Sequence, residues 1–231
     1  MAGDVSGPDR GPSVGGQVAA ALGLGLVLAG GFWFAAKTSQ ESVSDPKPAV
    51  CDESTASPAS RYVSGRRLCE ALNRPDLPAL LGTPGEQARL AYGNDGRPEG
   101  EKADRAPSPE GNVDLATYSL KLSVSYDRLP VATLGRLLGN TAEPTTFLGR
   151  PAVLYSDRTL AFTVPLGSGG KAESRTGGIA RHLLVAKDPK DGGGSYELVI
   201  WREDEGIPDD AALLRVAERV LPTVPGWAAT G

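Results

Sequence analysis

The chain has 231 residues, with 24 Lys and Arg set against 28 Asp and Glu. Charge is therefore close to balanced, without the basic footprint of a nucleic-acid binder. Two Cys and one His almost exclude a metal site built from them, since zinc usually needs three or four such ligands. Arginine outnumbers lysine, and Ala, Gly and Pro are abundant, a composition typical of a high-GC genome.

The first feature along the chain is apolar. No charged residue occurs from Gly11 to Ala36, and Val18 to Ala36 is continuously apolar. As a helix this core spans roughly 28 Å, close to the hydrocarbon thickness of a bilayer. Phe32, Trp33 and Phe34 border it and Lys37 follows, the aromatic-then-cation pattern of a membrane interface. Residues 1–13 then read as a short polar tail and 14–36 as a transmembrane helix with the lipid bilayer as its partner. A cleaved signal peptide fits less well. Asp4 and Asp9 offset Arg10 at its start, and Phe34-Ala35-Ala36 is a poor small-x-small cleavage site. Ala21, Gly25 and Ala29 recur every four residues, which is compatible with helix self-association or with plain filling of the span.

Residues 37–60 read as a flexible stalk of Ser, Pro, Asp and Lys. Two signals bear on which side of the membrane the domain faces, and they disagree. Lys37 and Lys47 after the helix lean toward a cytoplasmic C-terminus. Cys51 and Cys69, close in sequence just beyond the anchor, favour a disulfide and hence an extracytoplasmic domain.

An α+β domain is expected over 61–227. Leu68, Ala71 and Leu72 suit one helical face that ends at Asn73-Arg74-Pro75. Asp76 reads as the N-cap of a second short helix, with Pro78 in its first turn and Gly82 as its stop. Residues 93–112 lack apolar periodicity and are expected to form a mobile loop. Tyr118, Leu120, Leu122, Val124 and Tyr126 alternate with Ser119, Lys121, Ser123 and Ser125, a strand with one face on a core. Asp127 is placed as the cap of a helix carrying Leu129, Val131, Leu134, Leu137 and Leu138, with Gly139 at its end. Strands at 152–155 and 160–164 flank Ser156-Asp157-Arg158, read as a hairpin turn. Strands at 179–186 and 196–202 flank Asp188-Pro189-Lys190-Asp191 and three glycines, a second hairpin. Pro208, Asp209 and Asp210 open a last helix bearing Leu213, Leu214, Ala217, Val220 and Leu221, with Arg215 and Arg219 on its polar side. Hairpin-joined strands make an antiparallel sheet, and helices must cover at least one face. The expectation is a single N-terminal transmembrane helix followed by an antiparallel sheet of about five strands packed with helices.

Several stretches carry a resemblance. They are Tyr62-Val63-Ser64-Gly65 with Leu68-Cys69, Leu72 to Pro78, Gly149-Arg150-Pro151-Ala152 with Tyr155 to Thr159, and Tyr196-Glu197-Leu198 with Trp201-Arg202. Together with Pro208-Asp209-Asp210 and Leu221-Pro222, they resemble an uncharacterised actinobacterial family of single-pass membrane-anchored proteins. That resemblance carries no activity or catalytic residue. A looser likeness is to exported lipoproteins with a PsbP/Mog1-like sandwich. It rests on an early Cys-bearing helix ending at Leu80-Leu81-Gly82, on Gly149-x-Pro151-Ala152 before a hairpin, and on a closing helix. Pro48-Ala49-Val50 before Cys51 is not a lipobox, so the lipid attachment of that group is not implied.

Candidate chemistry is thin. Ser168-Gly169-Gly170-Lys171 matches S-x-x-K, but the accompanying Arg175-Thr176-Gly177 lies in the same glycine-rich loop, where penicillin-binding enzymes separate the two motifs widely. No P-loop pattern occurs in that stretch. His182 sits in a strand beside Arg181. A general base needs an orienting partner and a nucleophile, and the sequence places neither, so His182 reads as structural or exposed. Arg202-Glu203-Asp204-Glu205 reads as a solvated turn, since calcium takes six to eight oxygens. Trp201 is assigned to the core, and Trp227 is left either packed back or free. No cofactor, metal or nucleic acid is expected. The preferred function is a non-enzymatic binding or interaction module of the cell envelope, taking a protein, peptidoglycan or a small ligand. The alternative is an envelope enzyme or accessory subunit using carboxylates.

Overall fold

In the computed structural model, residues 47–51, 61–96, 106–163 and 173–227 are described, with the side chains of 160–163 and 173–175 excepted. The helix expected at 14–36, its interface residues Phe32, Trp33, Phe34 and Lys37, and the Ala21, Gly25, Ala29 seam lie outside them. Among the described residues no helix is long and apolar enough to cross a membrane.

Among the described residues, four α-helices and seven strands follow in chain order: α1 (Gly65–Leu72), α2 (Leu77–Leu80), β1 (Leu90–Asn94), β2 (Glu110–Asp114), β3 (Tyr118–Ser125), α3 (Val131–Leu137), β4 (Glu143–Phe147), β5 (Arg150–Thr163), β6 (Glu173–Ala186), β7 (Ser195–Arg202) and α4 (Asp210–Val220). All strands join one antiparallel sheet in the order β1-β2-β3-β7-β6-β5-β4. The fold is α+β with seven strands, not about five.

The two faces of the sheet are covered unequally. One carries the apolar members of the β3 alternation, Tyr118, Leu120, Leu122 and Val124, beside Leu198 and Ile200 of β7 and Leu183 and Val185 of β6, all buried. Leu68 and Leu72 of α1 and Leu213, Val216 and Val220 of α4 close over them as one core. Among the described residues, the opposite face is covered only near β5 and β6. There Val131 of α3 packs on Val153, Tyr155, Leu184 and Ala186.

Two of the five expected strands are parts of β5, and three others, β1, β2 and β4, escaped the sequence for different reasons. Residues 93–112, expected as a mobile loop, carry the end of β1 and the start of β2 in a regular ladder. At Gly93 and Gly111 the missing side chain reflects backbone contact. A Cβ on Gly93 would lie 2.2 Å from the Gly65 carbonyl carbon, and one on Gly111 would lie 2.2 Å from the Cys69 nitrogen. Glycines let α1 rest directly on the strand backbones, so large side chains are excluded from those positions. β4 is a polar edge strand, where Pro144 is tolerated because one side needs no ladder bond. It returns to β5 through Leu148 (φ 48°) and Gly149 (φ 78°), the two-residue geometry that suits a right-twisted hairpin.

Other local expectations shift. Ser156-Asp157-Arg158 is not a turn. β5 runs through it with an irregularity between Arg158 and Leu160, and the chain reverses only after Thr163. Asp76 makes no side-chain cap, because its carboxylate pairs with Arg74 instead. Asp127 accepts from Leu129 two residues on, and α3 begins after Pro130. The free N–H groups at the start of α3 are met from elsewhere: Asp191, in the β6–β7 loop, accepts from Val131 (2.7 Å) and Ala132 (3.0 Å). Asp209 does cap α4, through Ala211. Trp227 packs back, buried under Arg150, whose guanidinium carbon lies 4.0 Å from the indole centroid and whose Nη2 donates to the Trp227 carbonyl.

The incoming chain is fixed to the domain. Cys51 and Cys69 form a disulfide, Ala49 N–H donates to Ala88 O (2.9 Å), and Asn73 donates to Ala49 O (2.7 Å). Residues 48–51 of the expected flexible stalk are thus part of the folded unit. Closing a loop with a sequence separation of 18 restricts the unfolded chain. Replacing both cysteines by serine is therefore expected to cost about 3 kcal/mol in urea unfolding. A loss well under 1 kcal/mol would show that the other contacts of residues 48–51 suffice.

Candidate functional site

The incompletely covered face holds the polar side chains of the sheet. Alternation along each strand puts Lys121 and Ser119 of β3, Glu197, Val199 and Trp201 of β7, His182 and Ala180 of β6, and Tyr155 and Asp157 of β5 on it. The register lines them up in rows. Lys121, Val199, His182 and Tyr155 are neighbours across four strands, and Ser119, Trp201, Ala180 and Asp157 form the next row. Over these rows lies a cleft of about 560 Å³, floored by Val199 and Trp201 and walled by the Asp157–Thr159 segment and the turn that follows β7. That volume is in the range of small-molecule sites.

The sequence left His182 without a partner, and the fold supplies two. Its Nδ1 lies 3.1 Å from Glu197 Oε1, and its ring stacks on Tyr155 with centroids 4.3 Å apart and planes 20° from parallel. The Tyr155 hydroxyl donates to the same Glu197 oxygen. A carboxylate only accepts, so Nδ1 carries the proton in this bond, and His182 lines the cleft. A carboxylate inside an otherwise apolar strand, Tyr196-Glu197-Leu198, is the signal that could have flagged this group.

Electrostatics follow from this packing. Burial alone would push the Glu197 carboxyl up. Hydrogen bonds from His182 and Tyr155, then the charges of His182 and Lys121, more than offset it, and the carboxyl stays below its ordinary value. Tyr155 is pushed up, first by burial and then by the Glu197 charge and bond. On the same face Asp114 is pushed up by burial, opposed by Ser119 and aided by the charge of Glu203. Glu197 and Asp114 lie on different strands, and neither lines the cleft.

The remaining candidates resolve plainly. Trp201 is not in the core: it alternates with the fully buried Ile200, forms the cleft floor and donates Nε1–H to Glu203 (3.1 Å). Arg202 to Glu205 is a turn in which Arg202 pairs with Asp204 and Glu203 accepts from the buried Ser119. No group of three metal-ligating side chains occurs among the described residues. Ser168 to Lys171 lies outside them, and Thr176 and Gly177 belong to β6.

A group whose folded pKa is lowered contributes stability that is present above its unfolded value and lost as pH falls through the folded one. Glu197 is such a group, with an ordinary value of 4.5. Below about pH 4.5 the melting temperature should fall, and Glu197→Gln should flatten that acid limb. Parallel acid limbs in thermal melts of the two proteins from pH 3 to 7 would contradict the assignment.

Residues 9–141 match the family model described as "Family of unknown function (DUF6215)". The match includes Lys121 but ends before β4, so Tyr155, His182, Glu197 and Trp201 lie beyond it. No curated protein and no solved structure matches the chain. With more than half of its 231 residues matched, the chain belongs to the DUF6215 family.

Proposed function

We propose that this chain is a membrane-anchored, extracytoplasmic binding module of the cell envelope, and that the cleft on the open sheet face is its ligand site. The observation that carries the reading is the cleft itself. It sits on a sheet whose other face is fully packed, and it combines an aromatic floor with fixed polar groups, the composition of a small-ligand site. The anchor rests on the apolar run at 14–36 with its Phe32, Trp33, Phe34 and Lys37 border, and an actinobacterial source rests on composition and the quoted motifs. The Cys51–Cys69 pair supports an oxidising compartment. Helices packed on an antiparallel sheet are what the likeness to PsbP/Mog1-like exported lipoproteins implies.

A second reading is favoured by one observation. His182, oriented by Glu197 and lining the cleft, is the arrangement of a general base. The binding reading is preferred because Glu197 and Asp114, the shifted carboxyls described on this face, do not converge on the cleft.

One experiment separates these readings. Intact cells expressing the full chain are incubated with a fluorescently tagged soluble digest of cell envelope, and the retained and released fragments are identified by mass spectrometry. The expected result is retention of unaltered fragments, lost in Trp201→Ala and kept in His182→Gln. Altered fragments that disappear in His182→Gln would establish the enzyme instead. Retention by the detergent-extracted chain but not by intact cells would place the domain on the inner side.

A further inference from the structure

The sheet ends in two edge strands, β1 and β4, and they differ in chemistry. β4 is blunted against pairing with another chain. Pro144 lacks an N–H, Glu143 brings a charge, and Thr145 and Thr146 complete an exposed polar run. β1, Leu90-Ala91-Tyr92-Gly93-Asn94, carries neither proline nor charge. The register extends the Lys121 row through Asn112 to Tyr92, and the Ser119 row through Asp114 to Leu90. Tyr92 and Leu90 therefore sit on the open face, and they are 38% and 49% exposed. Residues 48–51 meet this side of the domain through Ala88, two residues before the strand. Among the described residues β1 pairs only with β2, so its outer backbone groups have no ladder partner.

An open edge of this kind takes up another strand. The flanks of β1 say which one. Arg89 stands one residue before the strand and Asp95 one residue after it. Arg89 makes no salt bridge among the described residues. Asp95 accepts from the Gly65 N–H through Oδ1 (2.8 Å), a bond that leaves its charge in place. A second β1 laid antiparallel can pair with all five residues in one register only. It sets Tyr92 opposite Tyr92, Ala91 opposite Gly93 and Leu90 opposite Asn94. The same register sets Arg89 of each copy opposite Asp95 of the other. A parallel copy in register would set like charges side by side. Opposite charges and aromatic pairs stabilise a ladder, whereas like charges directly opposite destabilise it. The edge is thus complementary to itself, as an isologous interface requires.

We propose that β1 pairs antiparallel with β1 of a second copy, joining the two seven-stranded sheets into one across a twofold axis at Tyr92. The axis is perpendicular to the sheet, so both open faces lie on the same side. The pairing does not depend on the clefts being ligand sites.

The test is sedimentation of the full chain in mild detergent, together with thiol cross-linking. A dimer is expected. Tyr92→Lys places like charges on either side of the axis and should weaken it about tenfold or more. Arg89→Asp should weaken it as well, and adding Asp95→Arg to that variant should restore it, with thermal melts confirming that each variant folds. Cross-linking reads the register without touching Tyr92, Arg89 or Asp95. Both natural cysteines are in the disulfide, so Leu90→Cys and Asn94→Cys each add one free thiol. In the double variant these thiols face each other between copies at about 5 Å, and a short bifunctional thiol reagent should link the chains. In either single variant the thiols lie about 13 Å or more apart, and the same reagent should not. A chain that stays monomeric at its highest soluble concentration would overturn the proposal. So would a dimer that keeps its strength in Tyr92→Lys, or one that links as readily through the single variants as through the double one, because the interface then lies elsewhere.

Discussion

The structure depends on one asymmetry: a seven-stranded sheet with one face fully buried and the other only partly so. The buried face takes the apolar half of each strand alternation and closes it under α1 and α4. The second face has one short helix, α3, over its β5 and β6 side. Covering one face is enough to give the chain a core. Polar side chains are thereby free to occupy the other face of the central strands, and the hydrogen-bonded ladder holds them at fixed spacing. The cleft is a consequence of where the helices stop.

Long-range contacts then hold the sheet's surroundings in place. α1 sits at backbone distance on β1 and β2 because Gly65, Gly93 and Gly111 present no side chains there. α3 is held by the Asp191 carboxylate from the β6–β7 loop, since Pro130 at its start offers no cap of its own. Arg150 ties the C-terminal Trp227 to the sheet through its ring and its carbonyl. Glu86 accepts from Ala116 and Thr117 and so fixes the turn between β2 and β3. Each of these joins residues far apart in sequence, so the geometry of the open face is a property of the whole domain.

Much of the fold was legible where the pattern was local. The β3 alternation, the opening of α4 at Pro208-Asp209-Asp210, the β6–β7 hairpin and the cysteine pair all followed from neighbours in the chain. The strands that were lost had side-chain content set by distant partners. Gly93 and Gly111 read as loop residues because the helix that needs them is brought there only by folding. Ser156-Asp157-Arg158 read as a turn because polar residues at a sheet rim look like turn residues. The same limit hid the site. His182 and Glu197 are joined by register, not by spacing, and Trp201 looked like core because the sequence does not show that the one helix on its face, α3, lies over the β5 and β6 side. Membership of the DUF6215 family adds no chemistry, because the match ends before most of the cleft residues.

The central claim is that the face carrying Lys121, His182 and Trp201 is open in the native chain. Both natural cysteines are in the disulfide, so a cysteine introduced at Lys121 is a lone free thiol. The most direct measurement is its rate of reaction with a charged thiol reagent, without denaturant, compared with an unstructured peptide. A native rate within about tenfold of the peptide is predicted for an open face. Protection that lifts only on global unfolding would show the face to be covered and would contradict the account.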